Sequence, residues 1–209
     1  MGPEIRADQL SALCSLGPRP HVLTGYLRQW FVAHFAQASQ IETPDLRGKL
    51  WKAVGTETEI EVESVTRWKP ETTEFRPAVV IARNDYKVLR VGINDQMMGA
   101  NWGDVSGTDH FATYQEGSHT LFCVSSNATE AELLAGEVER EMVQFGPLVR
   151  RELDLKRFVV VGLGKLFELE EARSNYAVPV TVACGIEERW KLVPYAPFLK
   201  RIVLSAFLP

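Results

Sequence analysis

The chain has 209 residues, 45% of them hydrophobic and 24% charged, with a formal net charge of −4. This is globular composition, sufficient for one core or one core with an appendage. A net negative chain with no compensating basic patch excludes sequence-wide nucleic-acid binding, and no run approaches the ~20 apolar residues of a membrane span.

The three cysteines, Cys14, Cys123 and Cys184, are odd in number and far apart. Cys123 and Cys184 lie inside apolar strands, where a thiol is ordinarily a small buried hydrophobe, and a reducing compartment fits them. The N-terminal MGPEIRADQL lacks the apolar segment of a signal peptide.

In chain order, residues 1–20 read as an arm. Asp8 is placed to cap a short helix over Leu10, Leu13 and Cys14, which Pro18-Arg19-Pro20 stops. A helix is expected over 22–38, with Leu23, Leu27, Trp30, Phe31, His34 and Phe35 on one side. So apolar a helix is either well buried or meets another subunit. His34 on that face is expected to be a satisfied core or interface histidine, since no other His or Cys lies at metal spacing. Thr43-Pro44-Asp45 reads as a turn.

Residues 57–68 alternate acidic and apolar side chains, predicting a strand with one wet face and a bulge near Ser64. The row Glu57, Glu59, Glu61, Glu63 points outward in parallel, which suits a solvated or charge-pairing face better than a metal site. A strand starts beside Pro77, and Asn84-Asp85 predicts a two-residue hairpin into the next strand. Between 94 and 117 periodicity is lost and turn formers accumulate, predicting a long loop. Met97, Met98 and Trp102 give it a candidate binding surface, with a loop tucked onto its own core as the alternative.

A strand at 119–125 then leads into the longest amphipathic segment, a helix over about 129–153. Its expected stripe is Leu134, Val138, Met142, Phe145, Val149 and Leu153. Asn127 with Glu130, or Thr129 with Glu132, predicts a capping box, the better use of an Asn-Ala-Thr sequence that also fits a glycosylation pattern. Gly146-Pro147 predicts a kink or a break. Glu137, Arg140, Glu141 and Gln144 read as a charged outer face. Beyond it, residues around Gly162–Lys165 predict a second hairpin, 176–190 a long strand that Pro179 pushes toward a sheet edge, and 198–204 a final strand. With no linker, residues 21–209 read as a single domain.

Two stretches carry a chemical signal. Gly162-Leu-Gly-Lys165 lacks the upstream glycine and the Ser/Thr of a phosphate-binding loop, and a tight turn explains both glycines. Asp104, Asp109, His110 and His119 group acids and bases around the 94–117 loop, a candidate site for a small α+β enzyme, without a nucleophile elbow.

The order is helix, wet strand, paired strands, long loop, strand, long helix, paired strands, long strand and final strand. The carrying residues are helix 22–38, Arg76-Pro77-Ala-Val-Val-Ile, His119–Ser125 leading into Thr129–Leu153, and Tyr176–Trp190 with the terminal FLKRIVL. This order resembles the tail-terminator and tail-completion proteins of long-tailed bacteriophages, small α+β subunits of the head–tail neck. The resemblance is of elements, covering most of 20–205, and carries no catalytic, cofactor or metal residue across.

The resemblance implies an α+β fold with a mixed, mainly antiparallel sheet packed by the two helices. It also implies a homo-hexameric ring on the tail tube that docks a head-closure or connector protein and lets DNA pass. Such a subunit is assembled in the host cytoplasm into the virion, away from any membrane. Interface residues would be Trp30, Phe31, Met97, Met98, Trp102, Glu137, Arg140 and Pro179. The chain is longer than many such subunits, at 1–20, 42–74 and 94–117. Alternatives are another neck or tail component such as a head-closure protein, the small enzyme, and a non-viral module that grips a partner with its Met- and Trp-bearing loop.

Overall fold

The computed structural model describes residues 14–15, 18–51, 60–69, 77–90, 109–170 and 172–192. The fold is α+β, with a mixed and mainly antiparallel sheet and two helices. The chain divides into two compact units. One comprises Pro18–Lys87 and Glu116–Ile186; the other comprises Met1–Gly17, Val88–Gln115 and Glu187–Pro209.

In the larger unit, helix α1 spans Pro20–Phe35. Pro20 occupies its first turn, where a missing N–H costs nothing and the fixed φ suits the helix. Leu23, Leu27, Phe31 and Phe35 recur every four residues and are fully buried. A single 3-10 turn, Pro44–Leu46, follows.

Helix α2 spans Ala128–Glu152. Asn127 Oδ1 accepts a hydrogen bond from Thr129 N at 3.0 Å, so the expected N-cap forms. The capping box does not. Asn127 N donates to Ser125 Oγ (3.1 Å), and the Glu130 carboxylate takes the Ser125 hydroxyl and the Lys49 ammonium instead. Glu130 thus ties three segments together rather than closing one turn. Arg150 and Arg151 stand in the last turn, favourably placed against the helix dipole.

Pro147 does not break α2, which runs through it. The carbonyl left without its donor belongs to Val143, and Val143 and Pro147 are both exposed, so the solvent side absorbs the lost bond. The helix ends with Asp154 in the left-handed region, φ 48°. Leu155 N bonds to Arg150 O (2.8 Å) and Asp154 N to Arg151 O (3.3 Å), and Leu155 is buried. This is a Schellman closure with Asp where Gly is usual.

The sheet of the larger unit is built from β2 (Glu61–Ser64), β5 (Arg157–Leu163), β6 (Phe167–Leu169) and the greater parts of β3 (Ala78–Arg90), β4 (Asp109–Ser125) and β7 (Ala172–Leu192). Its order is β2-β3-β4-β7, with β5 and β6 both on the far side of β7. β2 pairs with β3 in parallel, Val62 opposite Val79, and both lie in the core. The core fills the face under the helices, with Val79, Ile81, Leu121, Cys123, Val178, Val180, Val182 and Cys184 pointing at α1 and α2. A smaller cluster on the other face joins Ala78, Val80, Val124 and Ala177 to Trp68, Phe122 and Leu169.

In the smaller unit, β1 (Cys14–Ser15) pairs antiparallel with the end of β7, Cys14 opposite Trp190. Cys14 therefore lies in a strand, not in the short helix expected there.

Five expectations are corrected. β3 runs straight through Asn84-Asp85, so no hairpin forms there. Asn84 Nδ2 donates to Ser118 Oγ and Thr120 Oγ1, both at 2.9 Å, and this turn former bridges two strands instead. Residues 109–117, expected in the long loop, are strand β4. β5 and β6 do not pair with each other but lie end to end along β7, Leu163 opposite Val180 and Phe167 opposite Ala177. Pro179 is therefore not on an edge strand. It sits opposite the gap between β5 and β6, where no ladder donor is required, and its carbonyl accepts from Gly164 N at 2.7 Å. Gly164 has its own reason: a Cβ there would stand 2.4 Å from Pro179 Cγ. The expected bulge at Ser64 is simply the end of β2, which turns at Val65. The final strand at 198–204, the 94–108 part of the loop and residues 57–59 lie outside the described residues.

Candidate functional site in the groove between the helices

Helix α1 contributes Trp30 and His34, and α2 contributes Glu137, Glu141 and Phe145, each one turn from the next. The His34 ring lies between two carboxylates. Its Nε2 is 3.2 Å from Glu137 Oε1 and its Nδ1 is 3.3 Å from Glu141 Oε2. Both nitrogens can donate at once only in the imidazolium form. Because the carboxylates approach opposite nitrogens, the three groups do not converge on one point as metal ligands would. Among the described residues, no cluster of three His, Cys, Asp or Glu side chains has that arrangement.

Glu137 is 1% exposed, although the sequence placed it on the outer face of the helix. Segment 41–43 covers it. The backbone N–H groups of Glu42 and Thr43 donate to it at 2.9 and 3.0 Å, and the Thr43 hydroxyl at 2.6 Å. Arg140 completes the shell by binding Glu137 and Glu42 together. Burial opposes ionisation of Glu137, but the Thr43 hydroxyl, the two N–H groups and Arg140 outweigh it, and the carboxyl is held below its ordinary value. Glu141, also expected outside, is buried and accepts from Trp30 Nε1 at 2.9 Å.

Beside this cluster a groove opens with a volume of about 430 Å³. Trp30, His34, Glu42, Glu141, Phe145 and Leu148 are among its lining residues. Trp30 and Phe145 meet with ring centroids 5.8 Å apart and an interplanar angle of 51°, and Tyr26 extends the row from Trp30. Phe145, assigned by its spacing to the core stripe, is 40% exposed and belongs to this groove. The true core stripe of α2 is Ala131, Leu134, Ala135, Val138, Met142 and Val149.

A second polar cluster lies under α1. His119 is fully buried, with Nε2 2.9 Å from Thr24 Oγ1 and Nδ1 3.2 Å from the Tyr86 hydroxyl. Thr24 Oγ1 in turn donates to Pro20 O at 3.2 Å. One assignment satisfies all of these groups: Tyr86 donates to Nδ1, Nε2–H donates to Thr24, and Thr24 donates to Pro20. Cys184 Sγ stands 4.0 Å from Nδ1. A cysteine beside a histidine suggests a nucleophile and its base, but the environment works the other way. Burial lowers His119 to about 4, against the pull of the Pro20 carbonyl, and raises the Cys184 thiol to about 12. Both stay neutral at pH 7, and His119 ties α1 to the sheet through Thr24 and Tyr86.

Of the expected interface residues, Trp30 is half-buried in the groove, Phe31 is wholly inside the core, and Arg140 is half-buried in the Glu137 shell. Met97, Met98 and Trp102 lie outside the described residues, as does Asp104. Asp109 and His110 are residues of β4 rather than of a loop. Glu63, one of the acidic row, pairs with Arg28 of α1 at 2.5 Å. Lys165, at the end of the Gly-Leu-Gly-Lys string, is exposed between β5 and β6. Among the described residues, no helix is long and apolar enough to cross a membrane.

The groove was readable in part. Glu137 and Glu141 are one turn apart on the same helix, and so are Trp30 and His34; what the spacing cannot say is that the two rows face each other. No protein-family model matches the chain, and no curated protein matches it either.

Proposed function

We propose that the chain is a structural subunit of a phage neck, a tail terminator that caps the tail tube as a ring and docks the head connector. Of the element order behind it, α1, the strand β4 leading into α2, and β7 stand although neither expected hairpin forms, and one observation carries it: a run of exposed apolar residues along β5 and β6. Val159, Val161, Leu163, Leu166 and Phe167 are all between 36% and 62% exposed. β5 and β6 have β7 on one side and, among the described residues, no strand on the other. A sheet edge with this many exposed apolar side chains is a liability in a free monomer and an asset in an assembly. In a cyclic ring each subunit covers its neighbour's edge with a different surface, and six such contacts close. The subunit then works by fit, without turnover, and DNA passes through the ring.

Particle imaging and mass photometry of the purified protein, alone and with tail tubes, test this. Rings of about six subunits on tube ends are expected. Val161→Lys with Leu163→Lys should release folded monomers, with unchanged circular dichroism. A wild-type protein that stays monomeric at high concentration and leaves tube ends bare refutes the proposal.

A further inference from the structure

We infer that the groove between α1 and α2 binds an organic cation, an alkylammonium or guanidinium group. The inference stands apart from the neck assignment and rests on the lining of the groove alone. Its volume, about 430 Å³, holds one long side chain or a small amine. Among the described residues its lining carries two carboxylates, Glu42 and Glu141, one histidine, His34, already engaged with Glu137 and Glu141, and neither lysine nor arginine.

Glu141 is the better placed of the two. Its oxygens are oriented by neighbours that leave acceptor capacity free: Trp30 Nε1 at 2.9 Å on one oxygen and His34 Nδ1 at 3.3 Å on the other. That makes a pre-aimed anion at the edge of solvent, its side chain 11% exposed. Arg140, the residue before Glu141 on α2, is engaged elsewhere, by Glu137 and by Glu42 at 2.9 Å. The aromatic lining adds the second half of the recognition. Trp30 is fixed by its bond to Glu141 and touches Phe145, so a cation reaching Glu141 passes along π faces that attract it. An anion is repelled by the same carboxylates, and a neutral chain of equal length gains only the apolar contact. The cation comes either from a free amine or from a Lys or Arg side chain presented by a protein.

Titration of the full chain followed by two-dimensional NMR, reading the indole N–H of Trp30, tests the inference. The probes are N-acetyl-lysine and N-acetyl-arginine methylamides, their neutral counterpart N-acetyl-norleucine methylamide, and free butylammonium and guanidinium ions. Saturable shifts with the cations and none with norleucine are expected. Glu141→Gln, which keeps the shape and removes the charge, should weaken cation binding at least about tenfold, the loss of one charged hydrogen bond. Should that variant not fold, Glu42→Gln, whose parent side chain is 54% exposed, should weaken binding about threefold. Lysine or arginine amides binding about tenfold tighter than the free ions assign the cation to a protein partner; equal affinities assign it to a small amine. Norleucine binding as well as lysine, no cation shifting the Trp30 signal, or affinities unchanged in the folded variants overturns the inference.

Discussion

Replacing Glu137 with Ala is expected to destabilise the larger unit more than any other single change on α2. The carboxylate is 1% exposed and accepts from two backbone N–H groups, the Thr43 hydroxyl, Arg140 and His34. Removing it strands the Glu42 and Thr43 N–H groups and leaves His34 with Glu141 alone. Loss of one partner of a buried charged network costs about 3–5 kcal/mol. In a protein of this length that lowers Tm by about 6–20 °C, at roughly 2–4 °C per kcal/mol. Glu137→Gln keeps the volume but turns one oxygen into a donor facing other donors, so it should recover only part of the loss. The pH dependence separates charge from packing. The native carboxyl titrates below its ordinary 4.5, so its contribution is complete above pH 4.5 and disappears as the pH falls through the lower native value. Wild type and Glu137→Gln should therefore converge in acid. Thermal unfolding followed by circular dichroism at several pH values reads both effects. A Glu137→Ala cost under about 1 kcal/mol, the level of an exposed ion pair, would refute the reasoning.

Three further outcomes follow from the geometry. His119 protonates at 6.5 when unfolded but only near 4 when native, so below pH 6.5 the unfolded chain takes up the proton first. Stability should fall by about 3 kcal/mol between pH 6.5 and 4, at roughly 1.4 kcal/mol per pH unit, and urea titrations of His119→Gln should lack this slope. Gly164→Ala brings a Cβ to 2.4 Å from Pro179 Cγ and should cost about 1–3 kcal/mol in urea unfolding. Adding Pro179→Ala should return part of that cost, and strictly additive losses would show that the contact is not the cause. Asp154→Gly relieves a left-handed residue at the end of α2 and should raise stability by about 1 kcal/mol, measured by calorimetry; no gain would show that the Asp side chain offsets the strain.

How far the sequence could be read depended on whether a pattern reported one neighbour or two. The two helices were legible because burial on one side writes a four-residue rhythm: Leu23, Leu27, Phe31 and Phe35 on α1, and Leu134, Val138 and Met142 on α2. The second contact of α2 was not legible. Glu137 and Glu141 follow the helical rhythm of a solvated row, and only the chain 94 to 111 residues away that supplies His34, Thr43 and Trp30 turns that row into an interior. A buried carboxylate is written in the same letters as an exposed one; the difference lies in its donors.

The strand errors share one physical cause. Asn84, Gly117 and Pro179 are residues that favour turns through side-chain hydrogen bonding, missing bulk or a missing N–H, and each of those properties also serves inside a wide sheet. Asn84 bonds across to Ser118 and Thr120. Gly117 leaves the space that the Tyr86 ring fills, since a Cβ there would lie 2.4 Å from Tyr86 Cγ. Pro179 faces the gap that β5 and β6 leave. Tyr86 also reaches His119, so the glycine that suggested a loop is what lets β3 place a hydroxyl on the buried imidazole. The chain therefore uses these turn-forming residues to join long strands, and among the described residues β5 and β6 keep β7 as their one neighbour in the sheet.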